Sequence, residues 1–278
     1  MVMIILVVTG FVMGSFVNAL VWRIHEQTKK SKSSKLKAQN YSIVSGRSMC
    51  PDCRHQLAWY DLFPVVSWLM LGGKCRYCHK PIGYQYPLVE LITVGLFIIS
   101  YVYWPYATTG IRYPIILSFW LMFVTIFVAL AVYDLRWRLL PNRLVYPLIV
   151  LAIGQVLIQS LVFDGGWTTI ISAVLGVVCL AGLFYGLFQV SAGRWIGGGD
   201  VKLAVVLGLL AGGAAEAFLL LFIASLLGTF VSLPLLVSKK IGRKQQVPFG
   251  PYLIAAMFIV YLFGSSIIGW YKRQFLIV

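Results

Sequence analysis

The chain has 278 residues, 60% of them hydrophobic and only 11% charged, with a mean hydropathy of +0.88. That composition excludes both a soluble globular domain and a disordered chain, and it makes the bilayer the solvent. The net charge of +15 raises the idea of a nucleic-acid partner, so where the charges fall has to be read along with their sum.

Apolar runs near residues 2–22, 88–104, 113–134, 144–163, 168–190, 201–212, 214–238 and 251–271 predict an all-α polytopic membrane protein of about eight transmembrane helices. Their unbroken hydrophobicity argues against a barrel, whose strands alternate polar and apolar residues. The first run lacks the basic residues that precede the core of a secretory signal, and such residues follow it instead. Residues 1–22 therefore read as a retained first helix. Residues 26–40 are polar and Lys-rich without hydrophobic periodicity, a linker suited to anionic lipid headgroups. From Arg47 to Pro87 aromatics, prolines and paired cysteines mark a small folded module, which completes a soluble segment of 23–87 ahead of a membrane core over 88–278.

Within that module Cys50-Pro51-Asp52-Cys53 and Cys75-Arg76-Tyr77-Cys78 form two CxxC pairs separated by 21 residues. Each pair brings two thiolates to one metal, and together they complete a tetrahedral Zn²⁺ shell. With all four positions filled by Cys50, Cys53, Cys75 and Cys78, no place remains for a catalytic water, so the zinc is structural. A 41-residue module buries too little apolar surface to fold alone, and the metal supplies what the core lacks. His55 and His79 read as solvated neighbours of the site, and Asp52 and Asp61 as turn or hydrogen-bonding residues. Cys179, alone in the fifth predicted helix, reads as apolar filler.

With the N-terminus outside, segments 23–87, 135–143, 191–202 and 239–250 face the cytoplasm and hold 20 of the 23 Lys and Arg residues. That asymmetry is the positive-inside rule, so topology explains the basicity and no nucleic-acid partner is called for. The sixth run is short and is followed by Gly212 and Gly213, which predicts a short, tilted or partly re-entrant helix. No internal repeat is evident.

Only eight acidic residues exist, so each can be weighed as a catalyst. Glu26 lies in the linker, Asp52 and Asp61 in the module, and Asp164 and Glu216 in external loops, leaving Glu90, Asp134 and Asp200. Asp134 closes the third predicted helix and Asp200 follows Gly197-Gly198-Gly199 at the start of the sixth, both at the cytoplasmic boundary although 66 residues apart. Carboxylates at membrane depth are costly and mark functional sites by default. Two neighbouring carboxyls share one proton, so one can deprotonate water while the other polarises a scissile carbonyl. Gly197, Gly198 and Gly199, lacking Cβ atoms, let an extended substrate backbone approach the acid. The blander alternative is that Asp200 N-caps its helix and Asp134 pairs with a nearby Arg. Glu90 is either a polar packing contact or a substrate-lining residue.

These segments carry a family likeness along nearly the whole chain. Gly14-Ser15-Phe16-Val17-Asn18, the two CxxC pairs with Gly73 and Lys74 before the second, Tyr86-Pro87-Leu88-Val89-Glu90, the Asp134 segment through Leu140-Pro141-Asn142, Gly197-Gly198-Gly199-Asp200-Val201-Lys202-Leu203 and Pro248-Phe249-Gly250-Pro251 stand in one order. In that order the chain resembles type IV prepilin peptidases that also N-methylate their product. The resemblance implies a multi-pass protein of the bacterial cytoplasmic membrane, with Asp134 and Asp200 as catalytic aspartates at the cytoplasmic face. It implies prepilin or pseudopilin substrates, cleaved after the terminal glycine of a basic leader, and S-adenosylmethionine as methyl donor. It further implies that Gly73 and the first cytoplasmic domain serve the methyl-transfer step. The chain departs from the family pattern at Ile24-His25-Glu26, where many members have Leu-Pro, and in its long Lys-rich linker.

Competing classes fit less well. His25-Glu26 lacks the second histidine of a metalloprotease helix, and the four-Cys site is closed. No histidine lies in a predicted span to serve an intramembrane serine protease. A transporter or assembly protein using Asp134 and Asp200 as an ion or proton site is the remaining alternative, and Asp134→Asn separates it from a peptidase.

Overall fold

The computed structural model describes residues 1–30, 46–106, 110–163, 165–238 and 248–275. Among these residues the regular structure is helical: α1 (Val2–Lys30), α2 (Val66–Met70), α3 (Gln85–Val102), α4 (Arg112–Trp137), α5 (Asn142–Leu161), α6 (Gly166–Val190), α7 (Gly198–Ala211), α8 (Ala214–Val237) and α9 (Gly250–Phe275). Seven of these helices are long and apolar enough to cross a membrane, and α2 and α7 are not. The expected sixth transmembrane helix is thus α7, present but only 14 residues long. At 1.5 Å per residue it extends ~21 Å, short of the ~30 Å hydrocarbon core. It begins at Gly198, earlier than its apolar run indicates. α1 continues through Lys30, so residues 26–30, expected in a linker, are helical, while Asp164 and the rest of the Lys-rich stretch lie outside the described residues.

The chain divides into two compact units. Unit 1 comprises Met1–Val102 with Val124–Ala129 of α4, and unit 2 comprises Tyr103–Phe123 with Leu130–Val278.

In unit 1, α1 packs along α3. The Gly14-Ser15-Phe16-Val17-Asn18 and Tyr86-Pro87-Leu88-Val89-Glu90 motifs are the two sides of that contact. A Cβ on Gly14 would meet the Glu90 Cα at 2.6 Å, Ser15 hydrogen-bonds the Glu90 carboxylate, and the Asn18 side-chain amide donates to the Tyr86 carbonyl at 3.0 Å. Small residues let helix backbones approach closely in a solvent that offers no hydrophobic drive for association.

In unit 2, α7 packs against α5, α6, α8 and α9. Leu203, Ala204, Val206 and Leu207 are fully buried, so the shortest long helix is also the most enclosed. Its closest neighbour is α6, where a Cβ on Gly208 would lie 2.6 Å from the Val177 Cα. A cavity of about 230 Å³ lies where α7 stops, lined in part by Leu210, Gly212, Gln155 and Tyr261. Gln155 donates to the Tyr261 hydroxyl at 3.2 Å within it.

Candidate active site and metal centre

Asp134 sits in the last turn of α4, 5% exposed. That is the wrong end of a helix for an anion, since the macrodipole there is negative. The helix ends at Trp137, with Arg138 in the left-handed region (φ 53°) and its N–H donating to the Asp134 carbonyl at 2.7 Å. After four residues α5 begins at Asn142. Asp200 is the third residue of α7, not its N-cap, which is Gly197. Its carboxylate accepts the Gly197 N–H, the reciprocal half of a capping box, and the positive helix end favours its charge.

Three connections meet around these acids. Asp134 accepts a hydrogen bond from the Gly250 N–H at the start of α9, and a Cβ on Gly250 would lie 2.6 Å from Asp134 Oδ2. Leu140 packs between the glycines: its Cβ is 3.0 Å from a Cβ built on Gly199, and its Cδ2 is 3.6 Å from one built on Gly250. Lys202 donates to Asn142 Oδ1 at 2.9 Å and lies 5.3 Å from the Tyr146 ring, tying the first turn of α7 to that of α5. Phe249 packs on Phe184 of α6, with ring centroids 6.2 Å apart.

The two carboxylates are within Coulombic reach of each other. Among the described residues no basic side chain pairs with either, although Arg136, Arg138 and Lys202 are near in sequence. Neither acid is ion-paired among the described residues, and Asp200 caps its helix from the third position instead of from the N-cap itself. Gly197 and Gly198 are exposed beside Asp200, whereas Gly199 is half-buried against Leu140. Gly250 was visible in sequence only as part of a motif, with nothing to connect it to Asp134.

Glu90 belongs to unit 1 and is buried. Its carboxylate accepts the Val65 N–H at 2.7 Å and a hydrogen bond from Ser15.

The four cysteine Sγ atoms lie within 4.8 Å of one another, with Cys50 and Cys78 3.9 Å apart. A tetrahedron of ~2.3 Å Zn–S bonds separates its sulfurs by ~3.8 Å, so the donor set fits Zn²⁺. Two matching turns build it. Cys50 N–H donates to the His55 carbonyl and Arg54 N–H to the Cys50 carbonyl; 25 residues on, Cys75 N–H donates to Lys80 and His79 N–H to Cys75. Arg54 and His79 take the same left-handed φ of 60° and 57°. The module thus holds an internal repeat that the side chains conceal. Burial pushes the Cys50 thiol up to about 12; at Cys75 burial also acts upward but is outweighed by the Cys78 and Tyr77 backbone N–H groups, bringing it to about 7.

The His55 ring lies against Tyr77 at a tilt of 32°, centroids 3.7 Å apart, and His55 is not among the four clustered donors. Asp61 accepts from Arg76 at 2.7 Å, from Tyr77 and from the Ala58 N–H, while Asp52 pairs with Lys80 across the two turns at 3.1 Å. Gly73 has φ 69°, and a Cβ there would meet the Trp68 indole at 2.9 Å.

The comparisons with known proteins cover both units. The model of the bacterial peptidase A24 N-terminal domain matches residues 8–104, and that of the type IV leader peptidase family matches residues 120–233. The chain is 31% identical to a prepilin leader peptidase/N-methyltransferase of Aeromonas hydrophila, over 96% of this chain and 92% of that protein. It is 30% identical to the protein of that name in Bacillus subtilis, over 97% and 98% respectively. A Xanthomonas campestris protein so named is 32% identical over 95% and 92%. No solved structure matches the chain.

Proposed function

The chain belongs to the type IV leader peptidase family, and from that premise we propose that it removes the leader from type IV prepilins or pseudopilins after a glycine and N-methylates the new N-terminus. The cleavage is assigned to Asp134 and Asp200. One observation carries this assignment: two aspartates with no basic partner among the described residues, within reach of each other at helix ends joined through Leu140 and Gly250.

The helix ends divide the work. The N-terminus of α7 favours negative charge at Asp200, and the C-terminus of α4 favours the proton at Asp134. Asp200 takes a proton from water as its oxygen attacks the scissile carbonyl, and Asp134 donates its hydrogen bond to the carbonyl oxygen as charge develops there. Collapse of the tetrahedral intermediate breaks the C–N bond, and the proton held by Asp200 passes to the departing amine. Exposed Gly197 and Gly198 leave room for an extended backbone beside Asp200.

Cys50, Cys53, Cys75 and Cys78 would hold Zn²⁺, which would supply a structural cross-link and, with four thiolates, no open position for catalysis. S-adenosylmethionine would supply the methyl group to the new N-terminal amine. The positive-inside distribution supports placing the dyad and the zinc module on the cytoplasmic side. The direct test is co-expression with a prepilin carrying a basic leader and a Gly-Phe junction, followed by mass analysis of the product. Leader removal by wild type, and its loss in both Asp134→Asn and Asp200→Asn with the variants still inserted, is the expected result. Normal processing by both variants would remove the dyad.

A further inference from the structure

Between the two cysteine turns the chain runs Leu57-Ala58-Trp59-Tyr60-Asp61-Leu62-Phe63-Pro64-Val65-Val66-Ser67-Trp68-Leu69-Met70-Leu71. Its single charge, Asp61, is consumed by Arg76, Tyr77 and the Ala58 N–H, and its side chain is only 3% exposed. A stretch so apolar should form the core of the module, yet it does not. Neither the 3₁₀ turn Trp59–Leu62 nor α2 contains a buried residue. Trp59 is 73% exposed, Leu69 63% and Met70 83%, and Leu62, Phe63 and Val66 are exposed with them. Trp68 is half-buried, as are Leu57, Val65 and Leu71, and its indole N–H donates to the Ile82 carbonyl at 3.1 Å.

What covers this face follows from where it is pinned. The Val65 N–H donates to Glu90 Oε2 at 2.7 Å, and Val65 is held at φ 59°, a region β-branched residues avoid. Glu90 is not at the tip of α3. It is the sixth residue of an 18-residue helix, which at 1.5 Å per residue is ~27 Å long and must use nearly all its length to cross ~30 Å of hydrocarbon. Glu90 therefore lies ~7 Å along the helix, and Val65 beside it. That is the depth at which monotopic segments insert, ~5–10 Å below the headgroups. The flanking Trp59, Tyr60 and Tyr84 are the residue types that gather at that level.

We propose that residues 57–71 form a monotopic anchor, inserted into the leaflet on the side of the zinc module, with the exposed apolar face covered by lipid acyl chains and its depth set by the Val65–Glu90 hydrogen bond. The cysteine turns then sit above the anchor at headgroup level.

The test uses the full-length protein in nanodiscs, with a fluorescent noncanonical residue at position 70 or, as a water-exposed control, at Gln56 in the first cysteine turn. Phosphatidylcholine brominated in the upper acyl chain should dim the label at 70 at least about twofold more than that at 56, and aqueous acrylamide should dim it less. Glu90→Ala should reduce bromolipid quenching at position 70 while zinc content, measured in the same sample, stays unchanged. Label at position 69 repeats the measurement should the first site perturb folding. Equal acrylamide quenching at the two sites overturns the proposal. So does protection of position 70 from both quenchers, which would mean that protein covers the face, either the apolar stem of a substrate or a second copy of the chain. Quenching that Glu90→Ala leaves unchanged overturns the role given to the hydrogen bond.

Discussion

Gly250 controls Asp134 more directly than any side chain does. Its N–H holds the carboxylate, and a methyl group in place of its hydrogen would sit 2.6 Å from Oδ2. Gly250→Ala must displace the acid, and displacements on the scale of 1 Å cost on the order of 100-fold in rate. Prepilin cleavage should fall by about that factor with membrane insertion unchanged; a near-normal rate would show that the acid tolerates the shift. The two acids could be singled out in sequence because only eight exist and, Glu90 apart, the others fall in loops or in the soluble segment. Gly250 was not, because its contact with Asp134 spans 116 residues and a glycine carries no chemical signature of what approaches it. The same applies to Glu90, whose partner is a backbone N–H that any residue at position 65 other than proline would offer.

Among the elements, the zinc module makes the sharpest separation between structure and catalysis. Purified, reduced protein should carry one Zn²⁺ per chain, and Cys50→Ser or Cys78→Ser should lose the metal and unfold residues 47–87, because the metal provides most of the folding free energy of so small a unit. Metal analysis and limited proteolysis would report the two losses together; a metal-free but protease-resistant module would refute the structural role. Zinc retention should weaken as pH falls, since the thiolate ligands take up protons. Gly73 presents a finer case. At φ 69° and against Trp68, any other residue incurs roughly 1–3 kcal/mol of backbone strain plus a clash. Gly73→Val should therefore leave a cleaved but poorly methylated pilin if methyl transfer depends on the module, provided zinc is retained. Loss of both activities in a zinc-loaded variant would show that they are not separable here. The paired CxxC turns were legible because cysteine spacing is read directly. The repeat relating them was not, because it lives in hydrogen bonds that Ser48 and Gly73, or Arg54 and His79, make equally well.

At the scale of the molecule, hydropathy predicted the helices well, since each long span is a continuous apolar run. It failed to delimit α7, whose first turn is glycine and aspartate and whose length is set by its neighbours instead of by the bilayer. This enclosed helix has a consequence for motion. From Leu203 onward its residues are buried except for half-buried Val205 and Leu209, while its entry at Gly197 and Gly198 is open. Hydrogen–deuterium exchange should find the amides of residues 204–211 among the slowest in the chain and those of 197–199 exchanging orders of magnitude faster, a gradient across one short helix. Uniform exchange along α7 would contradict it. Asp200 stands at that boundary, its backbone continuous with the buried part of the helix and its carboxylate tied to Gly197 in the open part, so whatever moves residues 197 and 198 is felt at the acid.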